Sequence, residues 1–340
     1  MAYSADARLE ALSNWLRTDL KQAVEAIRPA SSDASFRRYF RAWIGGDSYI
    51  VMDAPPPHED VQPFVNISRM LREAGIQAPE IHAQDVQRGF LLLDDFGSSC
   101  YLDKLDAESA DVLYGDAMAS LIRLQSRFDI GTSSLPPYDE TLLRAEMNLF
   151  RDWFLGRLLG FEPHRTEAAL LEKTWTLLAD TALEQPRVCV HRDYHSRNLM
   201  VTERDNPGVL DFQDAVIGPV TYDLVSLLRD CYIAWPQTRV DAWVRDYHLR
   251  LVENGLGDPN DGERFTRWFD LMGVQRHLKA IGIFSRLKLR DGKSDYLGDI
   301  PRTLAYVTAV CQRHPELSDF LLFLQGIVLD RASATLGEAA

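Results

Sequence analysis

Residues 188–201 read VCVHRDYHSRNLMV. An apolar run, Val188-Cys189-Val190, leads into His191, Arg192, Asp193, His195, Arg197 and Asn198, and a second apolar run, Leu199-Met200-Val201, leads out. A surface loop can be this polar, but its flanks are seldom so uniformly apolar. The pattern predicts a polar loop held between two buried strands, which is how catalytic side chains are often mounted. A second aspartate, Asp211 in GVLDFQDA, follows at the end of another apolar stretch.

At 340 residues the chain is long enough for one large or two unequal domains with a sizeable core. Its formal net charge of −13 argues against nucleic acid, which needs a basic face, and against anionic membrane surfaces. Cys100, Cys189, Cys231 and Cys311 form no CxxC pair, which fits free thiols in a reducing compartment. The N-terminus lacks the apolar core of a signal peptide, and no run approaches about 18 uncharged apolar residues. The expectation is therefore a cytoplasmic protein without a membrane span, and no protein partner is evident.

Along the chain, Leu9, Leu12, Leu16, Leu20, Val24 and Ile27 recur with a helical period over 5–27. SFRRYFRAWIGGDSYIVMDAP alternates about Gly45-Gly46 and predicts a hairpin. A helix over 60–75 and strands over 76–82 and 89–93 follow. Beyond Gly97 helical spacing dominates: 108–127, 139–159, 165–183, 221–254, 262–289 and 301–334, interrupted by short strands in 188–212. The fold class expected is α+β: a small β-rich lobe over 1–96, a hinge near 91–97, and a large, mainly α-helical lobe over 97–340.

His191-Arg192-Asp193 with Asn198 spells H-R-D-x-x-x-x-N, a pattern suited to phosphoryl transfer. A carboxylate must orient the attacking hydroxyl and accept its proton, and an amide oxygen with a second carboxylate must hold Mg²⁺ on the nucleotide phosphates. Asp193 is the candidate base, with Asn198 and Asp211 the candidate metal ligands. Alternation in His191-x-Asp193-x-His195 also admits a metallohydrolase, although Asn198 is a poor zinc ligand. The tracts HRDYHSRNLMV and LDFQDAVIGPVTYDLVSLL resemble the aminoglycoside phosphotransferase-like branch of the protein-kinase fold. That resemblance implies ATP as donor, a bilobal fold, and roles for His191 and Asp223 in bracing the loop. His195 and Arg197 are open between substrate contact and bracing, and Asp214 is a weaker candidate beside the metal.

The resemblance places ASSDASFRRYF, residues 30–40, over the phosphates, but the tract has no glycine. Ser32 and Ser35 are the small residues through which backbone N–H groups would approach a phosphate. The lysine expected near Met52 is absent; between Lys21 and Lys104 there is none. Either an arginine, with Arg38 the candidate, takes its place, or the protein binds nucleotide without turnover. FLLLDDFG implies a hinge whose backbone bonds adenine around Leu92–Asp94.

Within this family the chain looks like the bacterial kinases that phosphorylate the anomeric hydroxyl of N-acetylmuramate and N-acetylglucosamine. The tracts carrying that likeness are SSDASFRRYFR, YIVMDAPPPHEDVQPF, LLRAEMNLFRDWFL and QRHLKAIGIFSRLKLRDGKSDYL. Its partners would be an amino sugar and ATP. Arg144, Glu146 and the aromatics Phe150, Trp153 and Phe154 are candidates for sugar contacts, with core packing the competing reading of the aromatics. Arg276, Lys279, Arg286 and Arg290 suit either an anionic acceptor or a salt-bridged helix surface. Another acceptor, such as an aminoglycoside, choline or homoserine, would keep the chemistry.

Overall fold

The computed structural model describes residues 6–32 and 36–337. These fall into two compact units: one comprises residues 1–100 and 199–213, the other 101–198 and 214–340. The segment 199–213 thus returns to the first unit after the catalytic-type loop.

In the first unit, helix α1 (Ala7–Asn14) continues as a π-helical turn to Asp19. Five antiparallel strands follow: β1 (Val24–Ser32), β2 (Arg38–Ile44), β3 (Asp47–Asp53), β4 (Ile81–Asp85) and β5 (Phe90–Asp94). Their spatial order is β1-β2-β3-β5-β4. Leu12, Trp15 and Leu16 pack on Phe40, Ala42, Val51 and Phe90 of the sheet. The expected helix over 5–27 therefore ends early. Lys21 turns the chain with a φ of 53°, and Val24 and Ile27 pair with β2 instead. Their helical spacing yields to the cross-strand partners available. Pro29 is tolerated because β1 is an edge strand. The hairpin over β2 and β3 turns at Gly45-Gly46, both with positive φ. Helix α2 (Gln62–Glu73) lies between β3 and β4. Strand β4 starts at Ile81 rather than Ile76, since Pro79 has no N–H for a ladder.

The second unit holds α3 (Ala110–Arg127), α4 (Glu140–Leu149) with a π-helical continuation Phe150–Leu158, α5 (Arg165–Leu183) and strand β6 (Arg187–Val190). Strands β7 (Leu199–Met200) and β8 (Gly208–Val209) form a small ladder in the first unit. Back in the second unit, β9 (Val216–Pro219) pairs with β6. The helix expected over 221–254 is two, α6 (Tyr222–Leu228) and α7 (Gln237–Glu253), parted ahead of Pro236. Helix α8 (Gly262–Asp291) is the axis of the unit and packs against α4, α5, α6 and the π-helical turn. Gly282 makes the approach to the end of α4, where the π-helical segment begins, possible: a Cβ there would lie 2.6 Å from both Cβ and the carbonyl oxygen of Leu149.

Helix α9 (Ile300–Arg313) ends before Pro315, which breaks the helix expected over 301–334; α10 (Ser318–Phe323) and α11 (Leu329–Gly337) follow. The run Pro315–Gly337 is long and apolar enough to cross a membrane by length and composition alone, its most apolar 18 residues having a mean hydropathy of 1.3, although it carries Glu316, Asp319, Asp330 and Arg331. On it Leu317, Phe320, Phe323, Leu324, Val328 and Ala332 are buried within the protein.

Candidate active site

Strand β6 delivers the polar loop. Val188, Cys189 and Val190 are buried and pair with β9, so His191 emerges from a fixed base. The first turn hangs from Asp223 on α6, whose carboxylate accepts the backbone N–H of His191 at 2.7 Å and of Arg192 at 3.0 Å. Arg192 has a left-handed backbone with φ 76°, a conformation costing a non-glycine residue roughly 1–3 kcal/mol. The two hydrogen bonds to Asp223 offset that strain. Nδ1 of His191 accepts the N–H of Asp193 at 3.2 Å, so its ring braces the loop from within.

Past Asp193 the loop folds on itself. The Asp193 carbonyl accepts the N–H of His195 at 3.0 Å and Nδ2 of Asn198 at 3.0 Å. Asp230, which the sequence reading missed, accepts the Ser196 N–H at 2.9 Å, the Ser196 hydroxyl at 2.5 Å and the Tyr232 N–H at 3.0 Å. It lies just past the end of α6, where the chain leaves helical geometry at Arg229, so helical spacing from Asp223 gave no signal for it. Tyr194 is buried and donates to the Ala117 carbonyl. The His195 ring meets Tyr232 edge-on, and the exposed Arg197 stacks on the Tyr232 face at 3.7 Å.

Burial would raise the Asp193 carboxyl, but the charges of Lys279 and Arg276 outweigh it and hold the group below 3.8. Burial lowers the His195 imidazole below its ordinary range. Burial raises the Asp223 carboxyl to about 7, against the pull of the two N–H groups it accepts. The loop therefore presents Asp193 as an ionised carboxylate at neutral pH, beside a neutral histidine. A carboxylate in this state can orient a hydroxyl and take its proton.

Glu146 on α4 is buried and is already saturated. Oε1 accepts Arg192 at 2.5 Å and Lys279 at 3.0 Å, while Oε2 accepts the Tyr138 hydroxyl and Gln275 at 3.1 Å. A carboxylate has about four lone-pair sites, so no place remains for a sugar hydroxyl. Expected as a sugar ligand, Glu146 instead clamps Arg192 and Lys279. Arg144 departs further. Two residues away on a helix, it faces the opposite side and binds Glu140, Glu172 and Thr176 in solvent. Phe150 and Phe154 are fully buried, and Trp153 is stacked by Arg157 at 4.1 Å, so core packing is the reading that holds for the first two. Of the basic segment, Arg276 and Lys279 are buried, whereas Arg290 is exposed and paired with Asp291.

In the first unit, Asp211 follows β8 with a left-handed φ of 62°, is exposed, and accepts Gln213 Nε2 at 2.5 Å. Phe212 beside it is buried on Phe64 of α2 with ring centres 4.7 Å apart, which fixes the segment. Met52, where a lysine was sought, is 1% exposed. Arg38 is bound to Asp53 at 2.6 Å and to Asp6, so its role as the substitute cation meets a guanidinium already held by two carboxylates. Arg37 pairs with Glu59 at 3.0 Å and Arg41 with Asp95 at 2.5 Å. Leu92 is on an inner strand, opposite Val51 on one side and Ala83 on the other. The ladders use its backbone groups, and the Asp94 N–H donates to the Glu80 carbonyl. Ser35 and the Ser32 side chain lie outside the described residues.

Asn198 and Asp211, each within its own unit, carry oxygens of the kind a hard cation takes. Nδ2 of Asn198 is turned to the Asp193 carbonyl, which directs Oδ1 the other way. No cluster of three or more His, Cys, Asp or Glu side chains able to hold a metal occurs among the described residues, which removes the support for a zinc hydrolase site.

A family model described as the phosphotransferase enzyme family matches residues 26–264. An N-acetylmuramate/N-acetylglucosamine kinase of Pseudomonas aeruginosa is 50% identical over 93% of this chain and 96% of its own. One from Pseudomonas putida is 48% identical over 92% and 95%. An ADP-bound aminoglycoside phosphotransferase superposes with a TM-score of 0.60 at 15% identity, over 89% of this chain and 98% of its own, a likeness of fold.

Proposed function

We propose, since the chain belongs to the phosphotransferase enzyme family, that it moves the γ-phosphoryl group of ATP to the anomeric hydroxyl of N-acetylmuramate and N-acetylglucosamine. The observation that carries this reading is the state of Asp193, an ionised carboxylate on a loop fastened at both ends by Asp223 and Asp230. The names of the relatives at 48% and 50% identity support the choice of acceptor.

Asp193 accepts a hydrogen bond from the acceptor hydroxyl and holds its oxygen in place. As the new O–P bond forms, the hydroxyl proton passes to the Asp193 carboxylate and the bond from the γ-phosphorus to the bridging oxygen breaks, releasing ADP. The proton then leaves to water. Holding the reactants in line supplies much of the acceleration, because an anomeric hydroxyl is more acidic than an ordinary alcohol and needs little further activation. By the motif, Asn198 and Asp211 would be the oxygen donors for Mg²⁺, which would supply neutralisation of phosphate charge. His191 and Asp223 keep the loop in shape, and His195 stays neutral beside the base.

The test is ³¹P NMR of the protein with Mg-ATP and N-acetylmuramate. The expected result is a new phosphomonoester resonance coupled to the anomeric proton. ATP unchanged with both sugars would overturn the proposal and favour a module that binds without turnover, the reading that the buried Met52 keeps alive.

A further inference from the structure

Helix α8 sends three neighbouring polar side chains toward the Asp193 loop: Gln275, Arg276 and Lys279. Two are engaged. Gln275 donates to Glu146 at 3.1 Å, and Lys279 is held by Glu146 at 3.0 Å and the Tyr222 hydroxyl at 2.9 Å. Arg276 differs. It is 6% exposed, and no carboxylate of the described residues lies within 4.0 Å of it. Its hydrogen bond is a long one, 3.8 Å to the Cys231 sulfur, and its Nε has no partner. The contrast is Arg229, equally buried, which is met by Asp270 at 2.7 Å.

A buried guanidinium is normally paired, because removing it from water without a counter-charge is costly. The unfilled capacity around Arg276 is also not isolated. Nδ1 of His195 and Oε1 of Gln275 likewise lack partners. Native proteins leave few buried polar atoms unmet, and each one calls for an explanation. Here donor and acceptor atoms without partners gather beside the carboxylate that the reaction uses. Glu146 cannot serve them, since its four sites are filled.

We propose that Arg276 is the residue that recognises the carboxylate of an anionic acceptor, and so distinguishes a sugar acid such as N-acetylmuramate from the neutral N-acetylglucosamine. This rests on the kinase reading above. The planar fork of a guanidinium matches a carboxylate with two parallel hydrogen bonds, which an ammonium at the same place cannot reproduce. A neutral sugar leaves Arg276 as it stands in the structure. An anionic one supplies the direct carboxylate partner that Asp193 and Asp230, which act on Arg276 only from beyond ion-pair distance, do not. The phosphate of the donor is the other anion that could fill the role, and the test separates the two.

Steady-state kinetics with Mg-ATP decide the matter, comparing N-acetylmuramate and N-acetylglucosamine on wild type, Arg276→Gln and Arg276→Lys. The expected result for Arg276→Gln is a KM for N-acetylmuramate raised roughly 10–100-fold, the weight of a lost charge-assisted pair. The KM for N-acetylglucosamine and for ATP should stay within about threefold, and Arg276→Lys should fall between. Should Arg276→Gln fail to fold by circular dichroism, Arg276→Lys carries the test, with a KM rise confined to the anionic sugar. Equal losses on both sugars, or a raised KM for ATP, would overturn the assignment in favour of phosphate binding or packing. Unchanged kinetics would overturn it as well. A wild type that phosphorylates neither sugar fails at the kinase reading itself, and the assignment falls with it.

Discussion

Asp223 and His191 are joined by a 2.7 Å hydrogen bond from the His191 backbone N–H to the buried Asp223 carboxylate, and the same carboxylate holds Arg192. Asparagine at 223 offers one acceptor oxygen where two are needed. Asp223→Asn should therefore lose about 1–3 kcal/mol of stability, the cost of a buried N–H left unmet, and lower turnover as the loop loosens. Its pH dependence is specific. A carboxyl raised from 3.8 to about 7 keeps its proton in the folded protein where the unfolded chain has lost it. Its contribution is full below about pH 4 and is lost as pH rises through about 7. The stability gap between wild type and Asp223→Asn should thus narrow between about pH 4 and 7 in urea titrations. A widening gap would mean that the carboxyl titrates low.

Asp193→Asn keeps the loop's hydrogen bonds, which run through the Asp193 backbone, and removes the proton acceptor. Turnover should fall by roughly 10²–10⁴ with the melting temperature unchanged. Because the wild-type carboxyl is held below 3.8, it contributes no acid limb to the rate near neutrality. A rate close to wild type for the variant would remove Asp193 from the chemistry.

Glu146→Gln leaves Arg192 and Lys279 buried without their carboxylate. The expected loss is about 3–5 kcal/mol, read by chemical denaturation, as for other broken buried pairs. Tyr138→Phe removes one neutral donor to the same group and should cost only about 1 kcal/mol. If the two variants were equally stable, Glu146 would be contributing no more than a neutral hydrogen bond.

Gly282→Ala tests the packing axis. The added methyl would press on the Leu149 backbone, and α8 must shift or bend. A loss of roughly 1–3 kcal/mol is expected from overpacking, with the activity of the folded fraction retained. A neutral outcome would show that α8 and the π-helical turn can part without strain.

The antiparallel sheet, the helical remainder and the catalytic-type loop are legible because they are written locally, whereas the return of 199–213 to the first unit, expected in the second, is not. Apolar flanks around HRDYHSRN describe buried strands, and Gly45-Gly46 describes a turn. What escaped depends on three dimensions. Val24 and Ile27 keep a helical period yet pair as strand, since β2 offers partners that a free helix face lacks. Glu146 looked like a ligand because its type suits sugar hydroxyls; only the positions of Arg192, Lys279, Tyr138 and Gln275 show that its oxygens are occupied. Arg144, two residues away, could have been set aside by helical geometry alone. Asp230 carries no local signal, since it sits beyond the end of α6 and meets Ser196 only through the tertiary fold.

Three arginines of the first unit, Arg37, Arg38 and Arg41, each answer to a carboxylate, and the buried Met52 stands where a lysine was sought. On the kinase reading proposed above, with those three charges committed at home, a larger share of the counter-charge for a triphosphate would fall to the divalent ion. Nucleotide affinity should then track free magnesium steeply, and free ATP should bind poorly. The protein would in effect read the magnesium supply of the cell before it reads its sugar, slowing when the ion is scarce even while ATP remains plentiful.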